Sequence, residues 1–201
     1  MTGAPLSFGA VFGDAAVASG GDVVLDIGFG SGEALIEVAE LRPHECVIGI
    51  DVHTPGIAAV LEAVERRGLR NVRVVEGDVI DLLARLPARS LAGIRVFFPD
   101  PWPKRRQRGR RLIRPEIIDR LILLLRVGGT LHLATDVEDY ATQMRAVCEA
   151  VPELSGGMIE RPVWRPLTRY EQRAIDEGRR PVDLLYISPE SSPSASSRAP
   201  R

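Results

Sequence analysis

Short apolar runs rich in Val, Ile and Leu alternate along the chain with longer segments whose apolar residues recur at helical spacing. The runs predict five strands, at Val23–Ile27, Cys46–Asp51, Val72–Glu76, Leu91–Phe98 and Thr130–Ala134. The segments between and after them predict helices at Glu33–Leu41, Pro55–Arg67, Ile80–Arg85, Pro115–Leu125 and Glu138–Val151. Strands that are each followed by a crossover helix build a mostly parallel sheet with helices on both faces.

The last third of the chain has a different order of elements. Met158–Val163 and Val182–Ile187 are typical of strands, and they flank a predicted helix at Arg169–Gly178. Gly128 and Gly129 are expected to end the helix that precedes the fifth strand. We therefore predict an α/β fold, a Rossmann-like, doubly wound and mostly parallel seven-stranded sheet with an antiparallel last strand.

Composition and domain organisation fit one globular domain. The 201 residues are 45% hydrophobic and 26% charged, which is enough for a full core. We predict a domain over 22–188, a loosely ordered lead-in over 1–21 and a disordered tail over 189–201, where nothing apolar can be buried. Cys46 and Cys148 lack metal-ligand spacing, and no apolar run could span a bilayer, so we expect a cytoplasmic protein without a metal.

A glycine-rich loop joins the first predicted strand to the first helix. It spans Asp26–Glu33 and contains Gly28, Gly30 and Gly32, which allow a tight turn and a close approach of the backbone to a ligand. Asp51 ends the second strand, about 20 residues further on, where an acid can accept both ribose hydroxyls of a nucleoside cofactor. Asp78 follows the third strand and is a candidate partner for the amino group of adenine.

The charges around this loop distinguish two kinds of cofactor. NAD carries a pyrophosphate, which is best bound at a helix N-terminus without nearby negative charge. Asp26 and Glu33 instead bracket the loop with carboxylates, which suit a cationic ligand such as S-adenosylmethionine. We favour S-adenosylmethionine, and NAD or a purely structural glycine turn remain the alternatives.

The segment after the fourth strand contains the strongest chemical signal. Phe97–Lys104 reads Phe-Phe-Pro-Asp-Pro-Trp-Pro-Lys, which fixes Asp100 in a proline-rich turn at the sheet edge where ligands bind in such folds. Six cations follow within eight residues, over 104–111, in a chain whose net charge is only −1. Binding of nucleic acid would therefore depend on this local patch. Lys104 is the only lysine in the chain.

Taken together, these motifs closely resemble the bacterial tRNA (guanine-N7)-methyltransferase family, whose members are class I S-adenosylmethionine-dependent enzymes. Besides Asp26–Glu33 and Phe97–Lys104, the matching stretches are Gly49–Gly56, Ala134–Tyr140 and Thr168–Arg173. The resemblance covers roughly residues 22–187. It implies transfer of a methyl group from S-adenosylmethionine to N7 of guanosine 46 in the variable loop of tRNA.

The resemblance also implies roles for individual residues. The cofactor would be bound by Asp26, Gly28, Gly30, Gly32, Asp51, Asp78 and Asp100. The substrate guanosine and its RNA would be bound by Lys104, Arg106, Arg108, Arg110, Arg111, Asp136, Thr168, Arg169, Tyr170 and Glu171. Guanine N7 has a free lone pair, so no general base is needed. Asp100, or Asp136, would act catalytically by favouring the movement of positive charge onto the ring.

Each of these assignments has a simpler alternative. Asp136 would cap the following helix, Thr168 would be an N-cap with Glu171 as its capping-box partner, and Arg105–Arg111 would be a solvated loop. At the level of function, the alternatives are a class I methyltransferase for another RNA or a small molecule, and a non-catalytic RNA-binding module. The sequence leaves both a monomer and a homodimer open.

Overall fold

The computed structural model describes residues 5–13 and 21–188. The strands are β1 (Asp22–Ile27), β2 (Glu45–Asp51), β3 (Val72–Glu76), β4 (Leu91–Phe97), β5 (Leu125–Thr135), β6 (Ser155–Ile159) and β7 (Val182–Ile187). The helices are α1 (Phe8–Phe12), α2 (Glu33–Leu41), α3 (Thr54–Arg67), α4 (Val79–Leu83), α5 (Pro115–Leu124), α6 (Glu138–Glu149) and α7 (Arg169–Asp176). A 3₁₀-helix spans Arg105–Arg110. The predicted tail lies outside the described residues.

The described strands form one seven-stranded sheet in the order β3-β2-β1-β4-β5-β7-β6. The first five strands along the chain are mutually parallel, and β7 runs antiparallel to both β5 and β6. This arrangement confirms the predicted doubly wound sheet with an antiparallel last strand. All five parallel strands present their carboxyl ends at one edge, and the loops that follow β1 and β4 meet there because these strands are neighbours.

Helices cover both faces of the sheet. The larger apolar cluster includes Leu25, Ile94, Ile118, Leu121 and Tyr140, and α4, α5 and α6 contribute to it. A smaller cluster on the other side is built from α2, α3, β2 and β3, and contains residues such as Leu35, Val47, Val60 and Val72. Because both faces are buried, the strands are apolar along most of their length.

The junction between α5 and β5 differs from the prediction. The helix ends at Leu124, and β5 begins at once with Leu125, which is extended and pairs with Leu91. Gly128 and Gly129 therefore lie inside the strand rather than ending the helix. Gly128 has a φ of 70°, and the pairing of β4 with β5 shifts register between Leu91 and Gly93, so the two glycines lie in an irregular stretch of β5.

Two further elements, strand β6 and helix α1, differ from the prediction. β6 begins at Ser155, not at Met158, because Gly156 and Gly157 pair with β7 although glycine-rich segments are poor strand formers. Within the predicted lead-in, residues 5–13 contain helix α1, whose Ser7 side chain accepts from the Ala10 N–H and whose Phe8 is buried in the larger cluster. The remaining lead-in residues, apart from Gly21, lie outside the described part of the chain.

Candidate functional site

A cavity of about 460 Å³ opens at the carboxyl edge of the sheet. Three segments wall it: the loop between β1 and α2, the end of β4, and the first residues of α7 with its N-cap. The wall includes Asp26, Gly28, Gly30, Phe98, Thr168, Arg169 and Tyr170. Segments more than 130 residues apart along the chain thus meet at one place, as expected for the edge of an open α/β sheet where ligands bind.

The loop between β1 and α2 depends on glycine and on Asp51. The backbones of Gly28, Gly30 and Gly32 have φ values of 75°, 58° and 78°, a region that residues with a Cβ rarely adopt. Asp51 holds this loop against β2, because its Oδ2 accepts the Gly30 N–H at 2.7 Å and its Oδ1 accepts the His53 N–H at 2.8 Å. The predicted cofactor acid therefore also shapes the glycine loop.

Asp26 is a buried carboxylate in the wall of the cavity. The residue is only 5% exposed, and no described residue donates a hydrogen bond to its carboxylate. The pKa of Asp26 is raised to about 6, mainly because the carboxylate is buried. The positive charge of Arg95 lowers this pKa in part, and the negative charge of Asp51 raises it further. A cation that bound here would relieve the cost of burying this charge.

Asp78 lies near Asp51 at the same edge. The Gly77 N–H donates to the Asp51 carbonyl at 3.0 Å, which joins the ends of β2 and β3. Asp78 is the N-cap of α4, and its Oδ1 accepts the Ile80 N–H at 2.8 Å. The residues predicted to bind the cofactor after β1, β2 and β3 are thus brought together along one edge.

The proline-rich turn after β4 is strained at both ends. Phe98 and Trp102 have φ values of 52° and 39°, and non-glycine residues occupy this region only when their surroundings impose it. The Phe98 N–H is tied to the Ala134 carbonyl at 2.8 Å, and the Pro101 carbonyl accepts from Arg111 Nε at 2.7 Å. Asp100 lies on this turn and is exposed.

The structure divides the cationic patch into two groups. The side chains of Lys104, Arg105 and Arg106 are exposed and have no hydrogen-bond or ion-pair partner among the described residues. Arg108 forms an ion pair with Asp139 at 3.0 Å, and Arg110 lies over the Trp102 ring at 4.9 Å. The first group therefore provides the cations that are free to meet a polyanion.

Arg111 does not belong to the exposed patch, which corrects its predicted role as an RNA contact. The residue is only 1% exposed. Besides Pro101, its guanidinium donates to Gln143 at 2.7 Å and to Asp139 at 2.5 Å, and it lies over the Tyr140 ring. Arg111 therefore fastens the proline-rich turn to α6, because each of its three guanidinium nitrogens donates a hydrogen bond inside the protein.

Asp136 is buried at the carboxyl end of β5, where it is 6% exposed and forms an ion pair with Arg179. Helix α6 has Val137 as its N-cap residue without a side-chain cap, so the alternative reading of Asp136 as that cap is wrong. Asp136 and Arg179 also line a second, larger cavity of about 750 Å³ between α6 and the β6–β7 strands. The sequence predicted a role for Asp136 but not its ion pair with Arg179.

The segment Thr168–Glu171 contains both exposed and buried side chains. Thr168 is the N-cap of α7, since its Oγ1 accepts the Glu171 N–H at 3.1 Å. Glu171 is only 1% exposed and binds Arg165 through both oxygens, so it neither completes a capping box nor faces a substrate. Tyr170 is half exposed, 5.5 Å from the Phe98 ring, and Arg169 pairs with Glu33 at 3.1 Å across the cavity.

No helix in residues 5–13 and 21–188 is long and apolar enough to cross a membrane. Over the same ranges, no three His, Cys, Asp or Glu side chains form a group that could hold a metal ion.

Solved structures show the fold of this chain at low sequence identity. An rRNA methylase from Streptococcus thermophilus has a TM-score of 0.58 and 13% identity, covering 84% of this chain and 87% of its own. A SAM-dependent O-methyltransferase from Thermotoga maritima has a TM-score of 0.55 and 15% identity, covering 96% of this chain and 70% of its own. Both are Rossmann-like neighbours and support the fold alone.

Sequence comparisons are more specific. Residues 21–184 match the family model described as "Putative methyltransferase". A tRNA (guanine-N(7)-)-methyltransferase of Ralstonia nicotianae is 43% identical over 91% of this chain and 73% of its own length. A protein of the same name from Thiobacillus denitrificans is 47% identical over 81% of this chain and 74% of its own length. The chain therefore belongs to the family of tRNA (guanine-N7)-methyltransferases.

Proposed function

We propose that this protein transfers the methyl group of S-adenosylmethionine to N7 of a guanosine in tRNA. One observation carries the proposal: a carboxylate-lined cavity lies on the same sheet edge as three cations that have no partner in the described part of the chain. The chain is 43% to 47% identical to proteins named for this reaction. The target within tRNA is guanosine 46 of the variable loop, which rests on the family resemblance. A tRNA substrate makes the cytoplasm the proposed location.

The residues of the cavity fit S-adenosylmethionine. Asp26 would bind its ammonium group, since this buried carboxylate has no donor among the described residues. Gly28, Gly30 and Gly32 would let the backbone approach the cofactor, and Asp51 and Asp78 would accept from its ribose and adenine. The cofactor supplies a methyl group on a positively charged sulfur, which a lone pair can take without further activation.

The protein's part in the reaction is then mainly positioning. Guanine N7 already has a free lone pair, so no side chain needs to remove a proton, and holding the base in line with the methyl group is the main requirement. Asp100 would stabilise the positive charge that the guanine ring gains, because a fixed carboxylate needs no reorganisation during the reaction. Thr168, Arg169 and Tyr170 would contact the guanosine or its sugar, and Asp136 would do so once the substrate displaces Arg179 from its carboxylate.

The cations of the patch would bind the RNA backbone. We assign this role first to Lys104, Arg105 and Arg106, whose charges are free, and second to Arg108 and Arg110, which are exposed but partly engaged inside the protein. Lysine and arginine contacts to phosphates position an RNA without reading its sequence. Guanine would then be selected by the carboxylates, which can accept from its N1–H and amino group.

Binding of S-adenosylmethionine should depend on the ionisation of Asp26. The free protein holds a proton on this residue below about pH 6, whereas a cationic ligand favours the ionised form. The apparent affinity should therefore fall as the pH drops through 6, by about tenfold at one unit below the pKa. Calorimetric titration with S-adenosylmethionine at several pH values around 6 measures this loss of affinity. An Asp26→Asn variant should bind weakly at every pH, and the same pH dependence in that variant would contradict the assignment.

The proposed reaction is tested with labelled S-adenosylmethionine and unmodified tRNA, followed by aniline cleavage at 7-methylguanosine. Wild-type protein should label the tRNA, and cleavage should fall at position 46. An Asp100→Asn variant should lower kcat by about tenfold to a hundredfold, because it removes one charge that favours the transition state. Unchanged kcat in that variant would remove Asp100 from the mechanism.

Two controls separate the proposed function from its alternatives. A tRNA with adenosine at position 46 should accept no methyl group, and cleavage at another position would overturn the choice of site. Failure to label any tRNA, while S-adenosylmethionine still binds, would favour another RNA or a small molecule as the substrate. Failure to bind S-adenosylmethionine would overturn the enzyme assignment.

A further inference from the structure

Arg165 is one of the most deeply buried charged residues described, with 1% of its surface exposed. Its guanidinium donates four hydrogen bonds to two carboxylates on different elements. Two bonds of 2.7 Å go to the two oxygens of Glu171, in the first turn of α7. Two of 2.7 and 2.8 Å go to the oxygens of Asp183 in β7. Arg165 thus fastens the start of α7 to the sheet.

Both carboxylates are fixed from other directions as well. His132 Nε2 in β5 lies 2.7 Å from Asp183 Oδ1. Burial opposes ionisation of Asp183, but the hydrogen bonds from His132 and Arg165 hold its pKa below the usual value. Glu171 is held through its backbone, whose N–H donates to Thr168 Oγ1. Because every partner of Arg165 is anchored, the guanidinium has one orientation.

The same guanidinium touches the end of β4. Its central carbon lies 5.4 Å from the centre of the Phe97 ring and 5.6 Å from that of Phe98. Phe97 and Phe98 line the cofactor cavity together with Thr168 and Tyr170, and Phe98 immediately precedes the turn that holds Asp100. Arg165 therefore links the two walls of the cavity without lining it.

We propose that Arg165 is a positioning residue for methyl transfer, which sets the distance between the Thr168–Tyr170 wall and the Phe97–Phe98 wall, from which the turn with Asp100 extends. This inference rests on the proposed function. Thr168 and Tyr170 would contact the substrate guanosine from one wall, whereas Phe98 in the opposite wall leads directly into the turn that holds Asp100. Arg165 fixes both walls in one geometry, and so keeps the base in line with the methyl group.

The chemistry of the residue supports positioning rather than stability alone. Well-packed apolar side chains often stabilise a core as much as a buried ion pair does, because removing charges from water is costly. A planar guanidinium with paired carboxylates instead defines both distance and angle, which an apolar contact or a lysine ammonium does not. Misplacement of reacting groups by about 1 Å costs up to about a hundredfold in rate.

The test compares Arg165→Lys with wild-type protein in the tRNA methylation assay and in hydrogen exchange followed by mass spectrometry. Lysine keeps the charge but cannot make four bonds to two carboxylates. We expect kcat to fall about thirtyfold, while the dissociation constants for S-adenosylmethionine and tRNA stay within about threefold. Exchange should become at least about tenfold faster in peptides that cover residues 166–172, and stay unchanged in β1 and β2.

Two further variants make the result decisive. Val72→Ala opens a space at the amino end of β3, the end opposite the cavity edge, and should lower the melting temperature without lowering kcat. Glu171→Gln removes one carboxylate at nearly constant shape, so it should reproduce the loss of kcat if Arg165→Lys does not fold. A kcat within threefold of wild type, or unchanged exchange over 166–172, would overturn the proposal. Absence of tRNA methylation by the wild type would overturn the proposed function, while exchange would still decide the role of Arg165.

Discussion

Replacement of Lys104, Arg105 and Arg106 by alanine should lower the affinity for tRNA by about a hundredfold at moderate salt. These three side chains are exposed and have no partner among the described residues, so their charges are available to phosphates. Each lost contact also removes a counterion from the binding equilibrium. The slope of log affinity against log salt concentration should therefore become shallower by about 2 to 3.

Filter binding or fluorescence anisotropy at several salt concentrations measures both quantities. A matched control is the triple alanine variant of Arg66, Arg67 and Arg70, which removes the same charge at the end of α3. Arg66 and Arg67 form ion pairs with Glu62 and Glu40, so this region is already partly neutralised. An equal loss of affinity in both triple variants would show that net charge, not this patch, drives binding.

Substitution of Gly56 by alanine should weaken binding of S-adenosylmethionine by at least about a hundredfold, because it displaces backbone. A Cβ at Gly56 would lie 1.8 Å from the carbonyl oxygen of Gly30. Neither atom is the end of a flexible side chain, so the glycine loop must move away from α3. That movement would also break the 2.7 Å bond from the Gly30 N–H to Asp51.

Calorimetric titration with S-adenosylmethionine measures this effect, and circular dichroism verifies that the variant is folded. Gly109→Ala is the matched control, because a Cβ there meets nothing within 4 Å and the residue lies on the exposed 3₁₀-helix. Its cofactor affinity should equal that of the wild type. A folded Gly56→Ala protein with unchanged affinity would show that the glycine loop does not form the cofactor site.

Most of the fold could be predicted because the apolar pattern is local. Glu33–Leu41 and Val72–Glu76 were predicted at the bounds that the structure has, since both have strong periodicity and clear ends. The errors at β5 and β6 arose where glycines lie inside strands. Propensity argues against strands there, and only pairing with neighbouring strands makes glycine acceptable.

The site could be predicted in outline but not in its internal contacts. Asp26, Gly30 and Thr168 do meet at one cavity, because strand order and the carboxyl edge follow from the pattern of elements. The burial of Arg111 and Glu171 could not be predicted, since an arginine in a basic run and a glutamate in a helix are usually exposed. Nothing in the sequence indicated that Arg165 would be buried and paired, because arginine is common throughout this chain.

The sequence by itself determined the order of strands and helices, the glycine loop, the acids at the strand ends and the position of the basic run. Each of these depends on residues close together along the chain. Only the tertiary structure decided which charges are free. Arg111 meets Asp139, Arg179 meets Asp136, and Arg165 joins Glu171 to Asp183. A charge is available to a ligand only when no partner in the fold has taken it, and most of these partners lie on separate elements, which local spacing cannot specify.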